Sequence, residues 1–326
     1  MKNLKNVVLV TIAIMFLLTI KTLAFNPADV ETIQNEDGSI TKIYRRNVNI
    51  GLRSAGNVDY EETKKMLLEL GMEQDFIDNL TEEDLEHYSN STNLVGTITY
   101  HKADENNNKT VVSEEEAYQE VNRIKSNISL RSAREQDTYE DSYMRVYHLV
   151  SQYRDTEEFL FSTDARWLTM PYFRKKDVIG SCASIIAVDY RSASGYYSYD
   201  VIRNNYGREE EREEKIFLYS RDFESANNGS FNGVAAYIDL PGDTDYHGYG
   251  DTFTNLKAHS QFSGYISFPK SEVVFNSNGT YDHMRFALDF SPSISINSGG
   301  FDASIGFDVI GKTDKRTAKV IVRYVR

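Results

Sequence analysis

The strongest constraint on how this chain can fold is a change of hydrophobic period near residue 143. From Tyr143 to Arg326, apolar and polar residues alternate in short runs, and Gly, Asn, Asp and Ser fill the intervals between them. A period of two is typical of half-buried β-strands, and such intervals are typical of turns. No long helical pattern interrupts the runs. We therefore expect a mainly β fold with an antiparallel β-sandwich-like C-terminal domain.

Ten segments in this region are predicted as strands, and the composition agrees with a β body. The 22 Tyr and 17 Phe favour strands, whereas Pro, which interrupts them, occurs only five times. The predicted strands are Met144–Tyr153, Glu158–Ser162, Val178–Tyr190, Gly195–Ile202, Lys215–Ser220, Gly233–Ile238, Gln261–Phe268, Arg285–Ile296, Phe301–Ile310 and Thr317–Val325.

A small acidic helical module is predicted ahead of the β region. Asp59 and Gly71 have the positions of an N-cap and a left-handed C′ residue around one helix, and Thr81 with Asp84 forms a capping box for another. The module carries few apolar residues and a large excess of acids. Because it can bury little surface alone, we expect it to dock on a larger body.

Five segments are therefore expected along the chain. They are a signal peptide over 1–24, a polar arm over 25–56, the helical module over 57–126, a linker over 127–141 and the β-rich domain over 142–326.

The first residues predict export. Lys2 and Lys5 precede an apolar run over Val7–Ile20, and small residues allow cleavage after Ala24. The run is shorter than the ~20 apolar residues of a membrane-spanning helix. Secretion is the expected localisation, and an uncleaved N-terminal anchor flanked by Lys21 is the alternative.

The net charge limits the classes of binding partner, and the cysteine content excludes an internal disulfide. Loss of the three leader lysines changes the formal charge from −13 to −16. An acidic chain is a poor partner for nucleic acid or for an anionic membrane, and we expect membrane contact only for the signal peptide. Cys182 is the only cysteine, so no disulfide forms within the chain, and its apolar surroundings predict a buried thiol.

No catalytic, cofactor or metal motif is complete. The six His do not occur at metal-ligand spacing, and no glycine-rich phosphate loop precedes a helix. Asp243, Asp245 and Gly248 match the start of a calcium loop, but His247 and Thr254 stand where further oxygen ligands are needed. An ordinary turn is the better interpretation, and we expect no cofactor, no metal and no assigned catalytic residue.

Residues 286–309, here called the hairpin segment, form the clearest local pattern. The arms match the ~9–11 residues of a membrane-crossing strand, which allows a pore-forming function. A half-buried sandwich hairpin gives the same alternation, and Pro292 would interrupt a paired ladder. The alternating apolar residues are Phe286, Leu288, Phe290, Ile294 and Ile296 in one arm and Phe301, Ala303, Ile305, Phe307 and Val309 in the other.

Three aromatic residues are candidates for ligand binding. Trp167, Tyr172 and Tyr197 could line a surface that stacks on a sugar or a peptide. Packing in the core accounts for Trp167 at least as well and is the better interpretation.

Several stretches carry a resemblance to a known group of proteins. They resemble exported proteins of low-GC Gram-positive bacteria that have no assigned activity, which implies secretion and a β-rich body. The stretches are Leu67–Leu80, Trp167–Pro171 with Arg174, Asp177–Gly180, and Tyr281–His283 ahead of a Ser-rich strand.

Three functions are compatible with these observations. The first is a secreted, non-enzymatic module that binds an extracellular carbohydrate or protein. The second is a secreted hydrolase of envelope polymers, in which acids and histidines would converge in one pocket. The third is a pore-forming protein, in which the hairpin segment would pack as a detachable flap.

Overall fold

The computed structural model describes most of the chain outside the leader. The described residues are 25–46, 59–103, 109–128, 142–169, 176–205, 208–227, 230–240, 252–266, 272–287, 293–297, 304–308 and 311–325. The predicted signal peptide, nearly all of the linker, Tyr172 and the calcium-like segment Pro241–Asp251 lie outside these residues.

The elements follow one another along the chain as short helices and long strands. The helices are α1 (Tyr60–Leu70), α2 (Gln74–Ile77), α3 (Glu82–Asn90) and α4 (Glu114–Ile128), with short 3-10 helices at Pro27–Asp29 and Ser220–Asp222. The strands are β1 (Val30–Gln34), β2 (Ile40–Arg45), β3 (Ser91–Ala103), β4 (Lys109–Val112), β5 (Ser142–Tyr153), β6 (Glu158–Trp167), β7 (Lys176–Ser184), β8 (Ile186–Asn205), β9 (Arg208–Leu218), β10 (Phe223–Asn227), β11 (Phe231–Asp239), β12 (Thr252–Ile266), β13 (Glu272–Ala287), β14 (Ser293–Asn297), β15 (Ser304–Asp308) and β16 (Gly311–Val325).

The strands form three antiparallel sheets. The larger sheet has the order β1-β2-β3-β5-β6-β12-β8-β9, with β4 also paired to β3. The smaller sheet has the order β10-β11-β7-β13-β16, and β14 pairs with β15 alone. The predicted mainly β, antiparallel, sandwich-like fold is confirmed.

The larger sheet lies between two covering layers. Along β5, Tyr147 and Leu149 belong to a core cluster with helices α1–α3, whereas Met144 and Val146 belong to a cluster with the smaller sheet. Successive side chains of a strand point to opposite faces, so one strand supplies both cores. The molecule is a two-sheet sandwich with a helical layer on the outer face of the larger sheet.

Several strand predictions differ from the structure. The strand predicted over Arg285–Ile296 covers only the last three residues of β13 and four of the five residues of β14, so most of β13 was not predicted. The strand predicted over Gly195–Ile202 is part of the longer β8. Strand β3 was not predicted, because nearly all of its residues are buried on both faces and the alternation is lost. The single strand predicted over Val178–Tyr190 is divided at Ile185, whose φ is 58°. At that residue the chain leaves the smaller sheet as β7 and enters the larger sheet as β8.

The predicted helix ends of the module are confirmed. The Asp59 carboxylate accepts the amide hydrogen of Glu62, and Gly71 ends α1 with a φ of 102°. Thr81 and Asp84 form the reciprocal capping box at the start of α3. These local hydrogen bonds satisfy amides that have no partner inside a helix.

The acidic module docks on a basic strip of the larger sheet. The Lys257 amine lies 2.9 Å from Asp75, and the Arg166 guanidinium lies 3.2 Å from Glu73. Arg145, 4% exposed, donates to the Gly71 carbonyl. The hydrogen bond and positive charge of Lys257 lower the pKa of Asp75 below its usual value despite partial burial. Apolar packing holds the module, and these polar contacts fix its position on the sheet. The module residues buried in the core cluster shared with the larger sheet are Met66, Leu67, Leu70, Phe76, Ile77, Leu85 and Tyr88.

A polar contact joins the two sheets between their apolar clusters. His148 of β5 lies 3.0 Å from the Thr163 hydroxyl and, through its other ring nitrogen, 2.7 Å from the Ser277 hydroxyl of β13. Burial lowers the pKa of His148 to about 3, so the ring is neutral at neutral pH. Gly279 lies against this contact, where a Cβ would stand 2.5 Å from the Thr163 hydroxyl oxygen.

Replacing Gly279 with Ala is therefore expected to destabilise the sandwich. The added methyl has to push β13 away from β5 and β6, which costs about 1–3 kcal/mol of unfolding free energy. Urea denaturation followed by Trp fluorescence measures the change. Val274→Ala on the exposed face of the same strand is the matched control and should change stability by less than about 0.5 kcal/mol. Equal destabilisation by both variants would contradict the close contact at Gly279.

Candidate functional site

Strands β13 and β16 form a long antiparallel pair at one side of the smaller sheet. Their pairing runs from Glu272 opposite Val325 to Ala287 opposite Gly311. Strand β13 also pairs with β7, whereas β16 is the edge strand. The hairpin segment connects the far ends of this pair, so it continues from the two strands that would have to carry it.

The described part of the hairpin segment forms a sheet of its own. Ile294 stands opposite Phe307, and Ile296 stands opposite Ile305. Because directly opposed residues of an antiparallel pair share a face, these four apolar positions lie on one face. Ser293, Ser295, Asn297, Ser304, Gly306 and Asp308 occupy the positions of the other face. The two-stranded sheet is therefore amphipathic by position.

The two-stranded β14–β15 sheet lies beside the five-stranded smaller sheet but is not hydrogen-bonded to it. Strand β15 lies beside β7 and β13, and β14 lies beside β10. None of the strand pairings found among the described residues joins β14 or β15 to another strand. The backbone hydrogen bonds of β14 and β15 with each other would therefore survive if the pair moved away from the sandwich.

Pro292, which argued against a paired ladder, immediately precedes β14. A proline at the start of a strand removes no hydrogen bond from the ladder that follows. The objection does not apply to the hairpin as it is paired here.

A buried polar cluster fixes β13 close to the point where the hairpin segment begins. Asp177, at 0% exposure, accepts hydrogen bonds from the Tyr281 hydroxyl at 2.5 Å and from His283 at 2.8 Å. Trp167 donates from its indole nitrogen to the Tyr281 oxygen at 3.3 Å. The Arg316 guanidinium of β16 lies 4.4 Å from the Trp167 ring centroid. Strands of both sheets are joined at this point.

The cluster is built for rigidity. Burial, followed by the nearby charge of Asp177, raises the pKa of Tyr281 well above its usual value, so the phenol keeps its proton. All five side chains are almost wholly enclosed. Buried hydrogen bonds such as those that join Asp177 to Tyr281 and His283 stabilise one arrangement of the chain.

The three residues predicted to bind a ligand do not form one surface among the described residues. Trp167 is 3% exposed and lies in the buried cluster, as the core-packing interpretation expects. Tyr197 is 7% exposed and packs in the same apolar core. Tyr172 lies outside the described residues. Ligand contact through these residues stays a prediction.

A second buried Asp–His pair lies under the helical layer. His259 contacts Asp164 at 2.6 Å, and its ring stacks on Tyr196. Burial alone would lower the pKa of His259, but the hydrogen bond and charge of Asp164 raise it above the usual value. Because both residues are at most 5% exposed, they are closed to a polymeric substrate.

Neither a reactive thiol nor a metal site is supported by the described residues. Cys182 is fully buried, and burial raises the pKa of its thiol to about 12, so the reactive thiolate is absent near neutral pH. No cluster of three or more metal-ligating side chains occurs within the described residues.

No helix in the described part of the chain combines the length and apolarity of a transmembrane helix.

Two exposed aromatic residues were missed in the sequence. Phe217 and Tyr219, at the end of β9 and just beyond it, are each 57% exposed. The Lys215 amine lies 4.9 Å from the Phe217 ring centroid, and the Arg221 guanidinium lies 5.3 Å from that of Tyr219. They stand in the uninterrupted apolar and aromatic run Ile216–Tyr219, so the sequence does not show which of these side chains are exposed.

Comparison with known proteins gives matches among solved structures, and those described below are weakly similar to this chain. No protein-family model and no curated protein matches the chain. Among solved structures, a protein described as "Pore forming protein" has a TM-score of 0.23 at 6% identity, over 70% of this chain and 92% of its own. Clostridium perfringens delta-toxin has a TM-score of 0.22 at 6% identity, over 71% and 91% of the two chains. A likeness at these TM-scores does not establish a shared fold.

Replacing Tyr281 with Phe tests the buried cluster. The variant removes a hydroxyl and leaves the Trp167 indole N–H and one Asp177 oxygen without this partner, which costs about 1–3 kcal/mol of unfolding free energy. Fluorescence during urea unfolding reports on the site directly, because Trp167 is the only Trp. Tyr265→Phe, at a 45% exposed position, is the control and should unfold like the parent. Coincident unfolding curves for the two variants would contradict a stabilising cluster.

Proposed function

We propose that this protein is an exported, membrane-inserting protein that forms pores through its hairpin segment. The observation that carries the proposal is the separate amphipathic β14–β15 sheet held between the ends of the paired strands β13 and β16. Export rests on the predicted signal peptide over 1–24.

The separate sheet has the properties that a membrane-inserting hairpin requires. A strand in a bilayer needs one face for lipid and one for water, and closure of many strands into a barrel satisfies the backbone. The hairpin segment supplies apolar positions on one face and Ser, Asn, Gly and Asp on the other. The remainder of the molecule stays as a folded base, because the buried Asp177 cluster fixes β13 to the sandwich.

Charge favours an uncharged target membrane. The chain is acidic overall, with a formal charge of −13, or −16 without the three leader lysines. Anionic lipid would repel it, so insertion has to be driven by apolar burial. Vesicles of phosphatidylcholine are therefore the appropriate test surface.

A matched pair of charge substitutions tests the proposal. Ile294→Lys places a charge on the lipid-facing side, where it costs about 2–4 kcal/mol near the bilayer centre. Ser295→Lys places the same charge at the next residue, on the water-facing side. We expect the parent and Ser295→Lys to release a self-quenched dye from vesicles and Ile294→Lys to release it at least tenfold more slowly. The proposal is wrong if the parent releases no dye or if both variants leak equally.

An extracellular binding module remains the second candidate. Phe217 and Tyr219, each 57% exposed and each beside a basic group, form an aromatic surface that can stack on sugar rings. The carbohydrate or protein partner expected from the sequence would bind there in this case. The hydrolase alternative gains no observation among the described residues, since both Asp–His pairs are enclosed.

Removal of the two exposed rings separates the candidates. A binding module should retain specific glycans on a printed array and lose them at least tenfold in Phe217→Ala/Tyr219→Ala, because stacking area is lost. Tyr190→Ala, at another exposed ring, is the control. If the parent retains no glycan on the array, carbohydrate binding at this surface is excluded.

A further inference from the structure

The register of the β13–β16 pairing shifts by one residue where the hairpin segment begins. The register is uninterrupted from Glu272 opposite Val325 to Met284 opposite Thr313. A β-bulge follows, after which Phe286 stands opposite Lys312. A bulge adds one residue to one strand, so it changes which residues share a face beyond it.

This bulge prevents the ladder from continuing into the hairpin segment. If the register beyond the bulge were extended, Phe290 would stand opposite Asp308 and Ile294 opposite Ser304. Each face would then mix apolar and polar residues. The hairpin segment instead pairs internally in a different register, with Ser293 opposite Asp308.

The register that precedes the bulge gives a different result when it is extended. Phe290 then stands opposite Phe307, Ile294 opposite Ala303, and Ile296 opposite Phe301. Serines oppose each other at Ser293 and Ser304 on the second face. The arms end in a two-residue turn at Ser298-Gly299, a loop length that suits a tight hairpin. One continuous ladder in this phase is amphipathic over Leu288–Asn297 and Gly300–Val309. Pro292 would stand opposite Ile305 and, because it has no amide hydrogen, would leave one hydrogen bond of this ladder unmade.

We propose that insertion removes the bulge and joins β13, the hairpin segment and β16 into a single long hairpin in the register that precedes the bulge. This inference rests on the proposed function and specifies its conformational step. Ser293 changes its partner from Asp308 to Ser304. The shift is four residues along β15, and an even shift keeps each side chain on its own face.

The length of the resulting arms agrees with a bilayer. Leu288–Asn297 and Gly300–Val309 become the arms beyond the present pair, and each has the roughly 9–11 residues of a tilted transmembrane strand. The bulge stabilises the soluble form, because it prevents the β13–β16 ladder from continuing in the same register into the hairpin segment.

Paired cysteines distinguish the two registers. Ser293→Cys/Asp308→Cys reports the register of the soluble structure, and Ser293→Cys/Ser304→Cys reports the extended register, because directly opposed residues reach disulfide distance. Val274→Cys/Arg323→Cys lies in the uninterrupted part of the ladder and should form a disulfide in both states. Thiols that remain are counted by maleimide labelling in denaturant and intact mass, with the buried Cys182 as the constant internal label.

The expected result is an exchange of partners on the membrane. In solution the 293/308 pair should oxidise and the 293/304 pair should stay reduced. On phosphatidylcholine vesicles that release dye, the ratio should reverse by at least tenfold. A 293/308 disulfide formed beforehand should slow dye release at least tenfold, and reductant should restore it.

Three results would overturn the inference. Persistence of the 293/308 pair on leaking vesicles would show that the hairpin inserts without changing register, and the proposed function would stand. Absence of both disulfides on leaking vesicles would show a third register, with the same consequence. Absence of leakage by the parent would remove the proposed function, and the inference would fall with it.

Discussion

The architecture depends on the need to cover both faces of the larger sheet. Its central strands carry large side chains on each side, so that Tyr147 packs under the helices while His148, the next residue, contacts the smaller sheet. Neither covering layer is dispensable, because an uncovered face would expose a row of apolar and aromatic residues to water. The acidic helical module is thus one wall of the core, and its salt bridges to Arg166 and Lys257 position it there.

In the smaller sheet, only the inner face is covered along its whole extent by another layer. Its inner face packs on the larger sheet, while Val274 and Ile321 on its outer face are 58% and 68% exposed. Strand β16 has a partner on one side only. Hydrogen bonds from Tyr281 and His283 to Asp177 fix β13 near its C-terminal end. Among the described residues, β16 pairs with β13 alone. A fixed base next to an amphipathic hairpin with its own hydrogen bonds is the arrangement from which the proposed insertion follows.

Local chemistry was predictable from the sequence, and contacts between distant residues were not. The caps at Asp59, Gly71 and Thr81 were predicted because capping depends on residues within one turn. Strand β3 was missed because burial on both faces removes the period of two. The division at Ile185 was missed because a strand that changes sheets keeps its alternation on both sides of the break.

The candidate site was predictable in part for the same reason. The two arms of the hairpin segment were expected, since each arm alternates within itself. Their register was not, because it depends on how the segment joins β13 and β16. Core packing was the better interpretation of Trp167, but the residues that it packs against were not predicted. Its partners Tyr281 and Arg316 follow more than a hundred residues later, and alternation alone does not bring them together.

The bulge between Met284 and Phe286 also restricts how this region can change in length during evolution. Deleting one residue from an arm of the hairpin segment would exchange its apolar and polar faces beyond the deletion. Deleting two residues would keep both faces and shorten the arm by about 6–7 Å, at ~3.3 Å per residue. Insertions and deletions that preserve function should therefore accumulate here in even steps. Elsewhere on the surface, loops can gain or lose single residues without this restriction.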